Sequence, residues 1–258
     1  MFRIATWNVN SLRVRLPVVL DWLARQQPDV LALQETKLAD ADFPVDAIQA
    51  AGYQVCFSGQ KTYNGVAVLS RIAAGDILNG LPDYPDPQRR LLAVSVGDYR
   101  LVNVYIPNGS ATGSDKYRYK LEWLDHLIHF MAVERSRHPN LILLGDFNIA
   151  PEDRDVYDPS AWQDAILCSP PERAAFSRLL ESGLVDAFRL FDQPEKSYSW
   201  WDYRQQAFRR KMGLRIDHIL IDQALAHTCT HCSIDTEPRK LERPSDHAPV
   251  ILELATGS

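Results

Sequence analysis

Short runs of branched apolar residues, each closed by a polar one, recur along this chain and predict its strands. Phe2 to Val9, Val30 to Gln34, Gly65 to Ser70, Leu91 to Val96, Leu101 to Ile106, Leu141 to Leu144, Ile216 to Ile221 and Val250 to Leu254 are all bounded by turn residues, the pattern of buried strands. Between them the period lengthens. Leu16, Val19, Leu20 and Leu23 share one face at 3.6-residue spacing, as do Tyr117, Leu121, Leu124, Ile128 and Met131, so two helices are expected there. A third, Pro171 to Ser182, groups Phe176, Leu179 and Leu180 and stops at Gly183, the residue that best tolerates a left-handed cap.

Two stretches repeat one plan: a helix, then an apolar strand ending in an acid. They are Pro28 to Glu35 and Pro139 to Asp146. Strand ends are where α/β proteins place their sites, because the backbone is rigid there while the side chain reaches solvent. The repeat suggests two βα halves that bring Glu35 and Asp146 to one rim. An α/β fold follows, a four-layer sandwich of two packed β-sheets flanked by helices.

The 258 residues, nearly half apolar, suffice for one sizeable core, so one domain over residues 1–258 is expected. No apolar run approaches a membrane span and the first residues lack a signal-peptide core, which makes a cytoplasmic protein the default. Four cysteines without a secretory signal argue for reduced thiols. The cluster from His227 to Cys232 has the donors zinc prefers, yet it lacks a second ligand pair, and it reads as a strand edge. A net charge of -5 does not favour a polyanion partner, but Arg13 and Arg15, Arg89 and Arg90, Lys116 to Lys120 and Arg209-Arg210-Lys211 group positive charge locally.

The candidate chemistry sits after the apolar strands. Asn8 and Asn10, Glu35, Asp146 and Asn148, Asp217 and the pair Asp246-His247 supply hard oxygen donors, an inventory suited to Mg²⁺, with Mn²⁺ as a substitute, and poor for zinc. Each residue alone has a plainer role as a cap, an ion pair or a turn. Asp217 is harder to dismiss, since an acid inside the alternating Arg215 to Ile221 strand is costly unless paired, and His247 is a candidate partner.

Seven motifs, in order from residue 4 to residue 250, carry a family resemblance. They are Ile-Ala-Thr-Trp-Asn-Val-Asn, Leu-Gln-Glu-Thr-Lys, Asn-Val-Tyr-Ile-Pro-Asn, Leu-Gly-Asp-Phe-Asn-Ile-Ala-Pro, Tyr-Ser-Trp-Trp-Asp-Tyr-Arg, Gly-Leu-Arg-Ile-Asp-His-Ile-Leu and Arg-Pro-Ser-Asp-His-Ala-Pro-Val. The chain resembles the exonuclease III and abasic-endonuclease family of deoxyribonuclease I-like phosphodiesterases. The resemblance implies that Glu35 and Asn8 hold Mg²⁺ with Asp246 in support, and that Asp146 activates or positions water with Asn148 beside it. It further implies that His247, oriented by Asp217, donates to a phosphate oxygen, and that Tyr105, Asn108 and Asn10 contact the substrate. Trp200, Leu214 and Ile216 would form an apolar cup for a flipped-out baseless deoxyribose, with Arg204 reaching into a groove, although such residues are also ordinary core.

The implied activity is hydrolysis at abasic sites or blocked 3′ ends of double-stranded DNA, by a monomer with no membrane partner. Three features depart from the family pattern. Ser11 replaces a common glycine, Ala111 stands where some abasic endonucleases carry arginine, and the segment Asp153 to Pro171, with Tyr157, Trp162 and Leu167, is individual to this chain. That segment is expected to border the site, where a bulky Leu167 would narrow entry and favour 3′-end trimming over internal cutting. Two other readings remain: a phosphodiesterase for RNA or another phosphodiester, and a non-catalytic DNA-binding module. A serine hydrolase does not fit, because no Gly-x-Ser-x-Gly elbow occurs.

Overall fold

Two six-stranded sheets hold the apolar runs, in a computed structural model that describes residues 1–256. In the first sheet, β1 (Phe2–Asn8) runs parallel to β2 (Val30–Gln34), with α1 (Leu12–Gln26) as the connection. After the short α2 (Val45–Ala50), β3 (Gln54–Ser58) and β4 (Val66–Ser70) extend the sheet beyond β2. The second sheet is ordered β5 (Ala74–Asn79), β6 (Leu91–Val96), β7 (Tyr99–Tyr105), β8 (Leu141–Asp146), β12 (Asp217–Asp222) and β9 (Leu184–Asp186). Here α3 (Asp115–Arg137) is the crossover that lets β7 and β8 lie parallel, and α4 (Pro170–Glu181) packs beside it. A ribbon of β10 (Trp200–Trp201) and β11 (Gly213–Leu214) stands apart, while β13 (Cys229–Ile234) and β14 (Val250–Leu254) return to the open side of β1.

Alternation along each strand builds the layers. On β8, Ile142 and Leu144 join Ile4, Val30, Val68 and Ile219 between the sheets, whereas Leu141 and Leu143 meet Trp123 and Leu127 of α3 and Phe176 and Leu179 of α4. On β1, Ala5 and Trp7 face the opposite way, toward Val19, Trp22 and Leu23 of α1. Each such fully buried side chain contributes about 1.5–3 kcal/mol relative to exposure. The result is the expected four-layer sandwich.

Two helix faces are rotated from the expected ones. In α1, Leu16 and Leu20 are only half-buried, while Trp22 is fully buried against Trp7, their rings 5.9 Å apart. In α3, Leu121 and Ile128 lie at the margin, and Lys120, Trp123, Leu127 and Glu134 take the buried face. Two charges on that face hid it from a purely apolar reading. Each is compensated, Lys120 by Glu172 and Glu134 by Arg100. The strand-edge reading of the cysteine and histidine cluster holds, since β13 is an outer strand from Cys229 onward. Gly183 has φ +98° just past α4, the left-handed position expected of it. Among the described residues no helix is long and apolar enough to cross a membrane.

One polar group sits inside the sandwich. Asn103 of β7 reaches across to the first sheet, where its amide donates to the carbonyls of Leu33 at 3.0 Å and Ala67 at 2.9 Å. Its oxygen accepts from Gln34 Nε2 at 2.7 Å, and that same nitrogen donates to Thr6 Oγ1 at 2.8 Å. These bonds fix the sheets relative to one another next to Glu35. Asn103→Leu is expected to lower the unfolding free energy by at least about 2 kcal/mol, because buried partners lose their bonds. The shift in denaturant midpoint measures this, and an unchanged midpoint would remove Asn103 from the account.

Candidate active site

Strand register alone lines up the key side chains. Tyr105 is paired with Asp146 across β7 and β8, and Asp146 with Asp217 across β8 and β12, so three polar residues stand in one row at the edge of the second sheet. Asn8 ends β1 beside Gln34 of β2, and Glu35 follows with φ 50°. That left-handed backbone, uncommon outside glycine, turns the chain away from the strand.

The Asn8 amide joins the two sheets. Its Nδ2 donates to Glu35 Oε1 at 2.9 Å and to Asp146 Oδ2 at 2.8 Å, while its Oδ1 accepts from the Asn10 N–H at 2.9 Å. Asn8 therefore holds the two acids through its N–H groups, while the oxygen expected to face a metal is taken by the Asn10 N–H. Asp146 Oδ1 accepts from the Asn148 N–H at 2.9 Å, and Asn148 bonds through its side chain to the Ile106 carbonyl and to Asn108, each at 3.0 Å. Burial holds the Tyr105 hydroxyl protonated, raising its pKa well above the usual tyrosine value with help from Glu35 and Asp146.

His247 closes the cluster. Its Nδ1 lies 2.9 Å from Asp217 Oδ2, and its Nε2 lies 3.7 Å from Asp146 Oδ2. Ser245 fixes its backbone by accepting from the His247 N–H at 3.2 Å and donating to the Asn8 carbonyl at 2.6 Å. Ser199 Oγ accepts from the Asp217 N–H at 3.0 Å. Burial opposes a charge on the His247 ring, but Asp217 and then Asp146 overcome it and push the pKa up to about 10. Burial likewise raises Asp146 to about 7, against the lowering influence of His247.

Ligand atoms of Glu35, Asp146 and His247 all lie within 4.8 Å of one another. Because His247 is committed to Asp217 through Nδ1, the two carboxylates are the natural partners of a hard cation, so the donor set fits a divalent metal. Asp246 is outside that group. Its carboxylate instead accepts from Asn10 Nδ2 at 2.9 Å and from Trp200 Nε1 at 3.0 Å.

The apolar residues assigned to a cup are in contact but not open. Leu214 is 0% and Ile216 1% exposed, packed with Val156, Leu167 and Cys168 under a half-buried Trp200. Arg204 is turned outward and paired with Asp202 at 2.8 Å. Lys37 was not singled out by the sequence reading. It lies 2.8 Å from Glu35 Oε2 and donates to Asn10 Oδ1 at 2.6 Å. The signal was present, since Lys37 closes the Leu-Gln-Glu-Thr-Lys motif. Ser245 likewise stands inside Arg-Pro-Ser-Asp-His, and Ser199 inside Tyr-Ser-Trp-Trp-Asp-Tyr-Arg.

Comparison with known proteins bears on this geometry. Residues 5–247 match the model of the endonuclease/exonuclease/phosphatase family. Exodeoxyribonuclease III of Haemophilus influenzae is 36% identical, with 96% of this chain and 98% of that protein covered. Among solved structures, a 3′ phosphatase from Neisseria bound to a product DNA hairpin superposes with a TM-score of 0.98 at 50% identity, covering 99% of this chain and 100% of the other. An AP endonuclease from Archaeoglobus fulgidus gives a TM-score of 0.95 at 38% identity over 99% of this chain and 100% of that one.

The buried histidine offers a direct titration. In metal-free protein, ring ¹⁵N shifts are expected to report a charged His247 up to about pH 10. With a folded pKa above the unfolded one, its contribution to stability is complete below the ordinary imidazole value and is lost as pH rises through the folded value. In Asp217→Asn the transition is expected to fall toward roughly 6.5. A transition that does not move would show that Asp217 does not hold the charge.

Proposed function

The chain belongs to the endonuclease/exonuclease/phosphatase family, and on that footing we propose that this metal-dependent DNA-repair nuclease acts chiefly on blocked 3′ ends of double-stranded DNA. The observation that carries the chemistry is the single amide of Asn8 holding Glu35 and Asp146 together, with His247 3.7 Å from the second acid.

The reaction is in-line displacement at phosphorus. Glu35 and Asp146 would hold the divalent ion, for which Mg²⁺ is the best match to oxygen donors, and the ion would polarise the phosphate and stabilise the departing oxygen. Asp146 accepts the proton of the attacking water. The Asn8 amide and the Asn148 N–H fix its two oxygens, so its free lone pairs have defined directions. His247, kept cationic by Asp217, donates from Nε2 to a phosphate oxygen as negative charge grows. Tyr105, Asn108 and Asn148 orient the same phosphate, and Asn10, tied to Lys37 and Asp246, borders it. Every group comes from one chain, so a monomer suffices.

Lesion choice follows from the cup. Leu167 is 4% exposed and fills the space beside Leu214 and Ile216, where a flipped-out sugar would need room. Its φ of 73° is left-handed, a conformation that a branched residue adopts at a cost and glycine adopts freely. A leucine kept there despite the strain supports a selective role for its bulk. The exposed Arg204 is available to duplex DNA beside the lesion.

Two measurements test this reading. His247→Ala or Asp146→Asn is expected to lower kcat on a 3′-phosphate end by about 10²–10⁴ with DNA affinity largely kept, and chelation of divalent ions is expected to abolish turnover. Unchanged turnover in both variants would remove the assigned roles. On a duplex with an internal abasic analogue the protein is expected to cut far more slowly than it removes a 3′-phosphate, and Leu167→Gly to raise that cutting by at least about tenfold. Equal rates on the two substrates in the unaltered protein would sink the preference for 3′ ends.

A further inference from the structure

Beneath the site lies an ion pair that none of the chemistry above uses. Lys120 of α3 and Glu172 of α4 are both completely buried and bonded to each other. Apolar residues of similar volume often replace such pairs without loss of stability, so the remaining bonds of this one deserve a physical account. The Lys120 ammonium uses all three protons, one on Glu172, one on the Asn148 carbonyl at 2.6 Å and one on the Asn108 carbonyl at 3.2 Å. Those two residues are the ones whose side-chain amides bond to each other at the phosphate position.

Glu172 reaches the other way. It accepts from the Leu167 N–H at 3.1 Å, the Ser169 N–H at 3.1 Å and the Ser169 hydroxyl at 2.6 Å. Packing closes the same triangle, because a Cβ added at Gly109 would meet Ile166 Cδ1 at 2.8 Å and Lys120 Cδ at 3.2 Å. The loop after β7, the turn after β8 and the 166–169 segment therefore converge on the Lys120–Glu172 pair.

We propose that Lys120 and Glu172 are positioning residues that lock the Asn108 and Asn148 amides to the Leu167 segment, so that one contact sets both turnover at 3′ ends and exclusion of abasic sites. For lesion choice alone this rests on the closed-cup reading given above. The lysine holds the backbone carbonyls of the two asparagines and so places their side-chain amides, and the glutamate holds the 166–169 segment.

Lys120→Met tests it. Glu172 then keeps three donors and lies in the first turn of α4, where the helix favours a carboxylate, so the variant is expected to fold, which its thermal midpoint checks. The expected result is a fall in kcat for 3′-phosphate removal of about 10–100-fold with KM within about twofold, since misplaced orienting groups act on the transition state. The ratio of abasic cutting to 3′-phosphate removal is expected to rise. Glu172→Gln keeps the volume and is read in the same way, which covers the case in which Lys120→Met does not fold. A folded variant of either kind with kcat within about twofold of the parent overturns the proposal. If Leu167→Gly opens abasic cutting and neither pair variant changes the ratio, the coupling is wrong and the cup stands. If Leu167→Gly changes nothing, the cup reading is wrong, and the kcat of Lys120→Met alone decides whether the amides are locked.

Discussion

Everything at this site depends on keeping two like charges close. Glu35 and Asp146 come from different sheets, and only the packing of those sheets brings them within 4.8 Å. Two carboxylates that close repel by roughly 3 kcal/mol at an effective dielectric near 20. The Asn8 amide offsets part of this by donating to both, Lys37 lies against Glu35, and His247 faces Asp146. Beside these cationic side chains, two carboxylate oxygens remain as the hard donors that suit a small divalent cation.

The constraint propagates outward through hydrogen bonds rather than through apolar contact. Asp146 can face Asn8 only while the sheets keep their offset, which Asn103 secures from inside the sandwich. His247 faces Asp146 only because Asp217 occupies the paired position on the neighbouring strand. An acid displaced by one residue along β8 would point into the core, since successive side chains alternate between faces.

Much of this was legible in the sequence, for an identifiable reason. Strands buried on both faces read as continuous apolar runs, and the residue ending each run marks the end of the strand, so Glu35 and Asp146 are legible at one rim, whereas Asp217, expected inside the Arg215 to Ile221 strand, is the first residue of β12. Edge strands were harder. β3 and β5 are half-exposed and mixed in character, and their period is weak. The face of α3 was misjudged because Lys120 and Glu134 are buried as ion pairs, and a pairing partner 52 or 34 residues away leaves no local trace. The same limit applies to Ser199, whose hydroxyl acts only on the N–H groups of Ile216 and Asp217, 17 and 18 residues away.

The sheet topology also sets an order of assembly. β1 lies between β2 and β14, and the Trp7 indole bonds to the carbonyl of His247, 240 residues later. At about 5–20 residues per second, a ribosome completes that stretch in roughly 12–48 s, and during that time one edge of a central strand has no partner. Unpaired strand edges are templates for association. The growing polypeptide therefore carries a sticky margin until the β14 segment emerges.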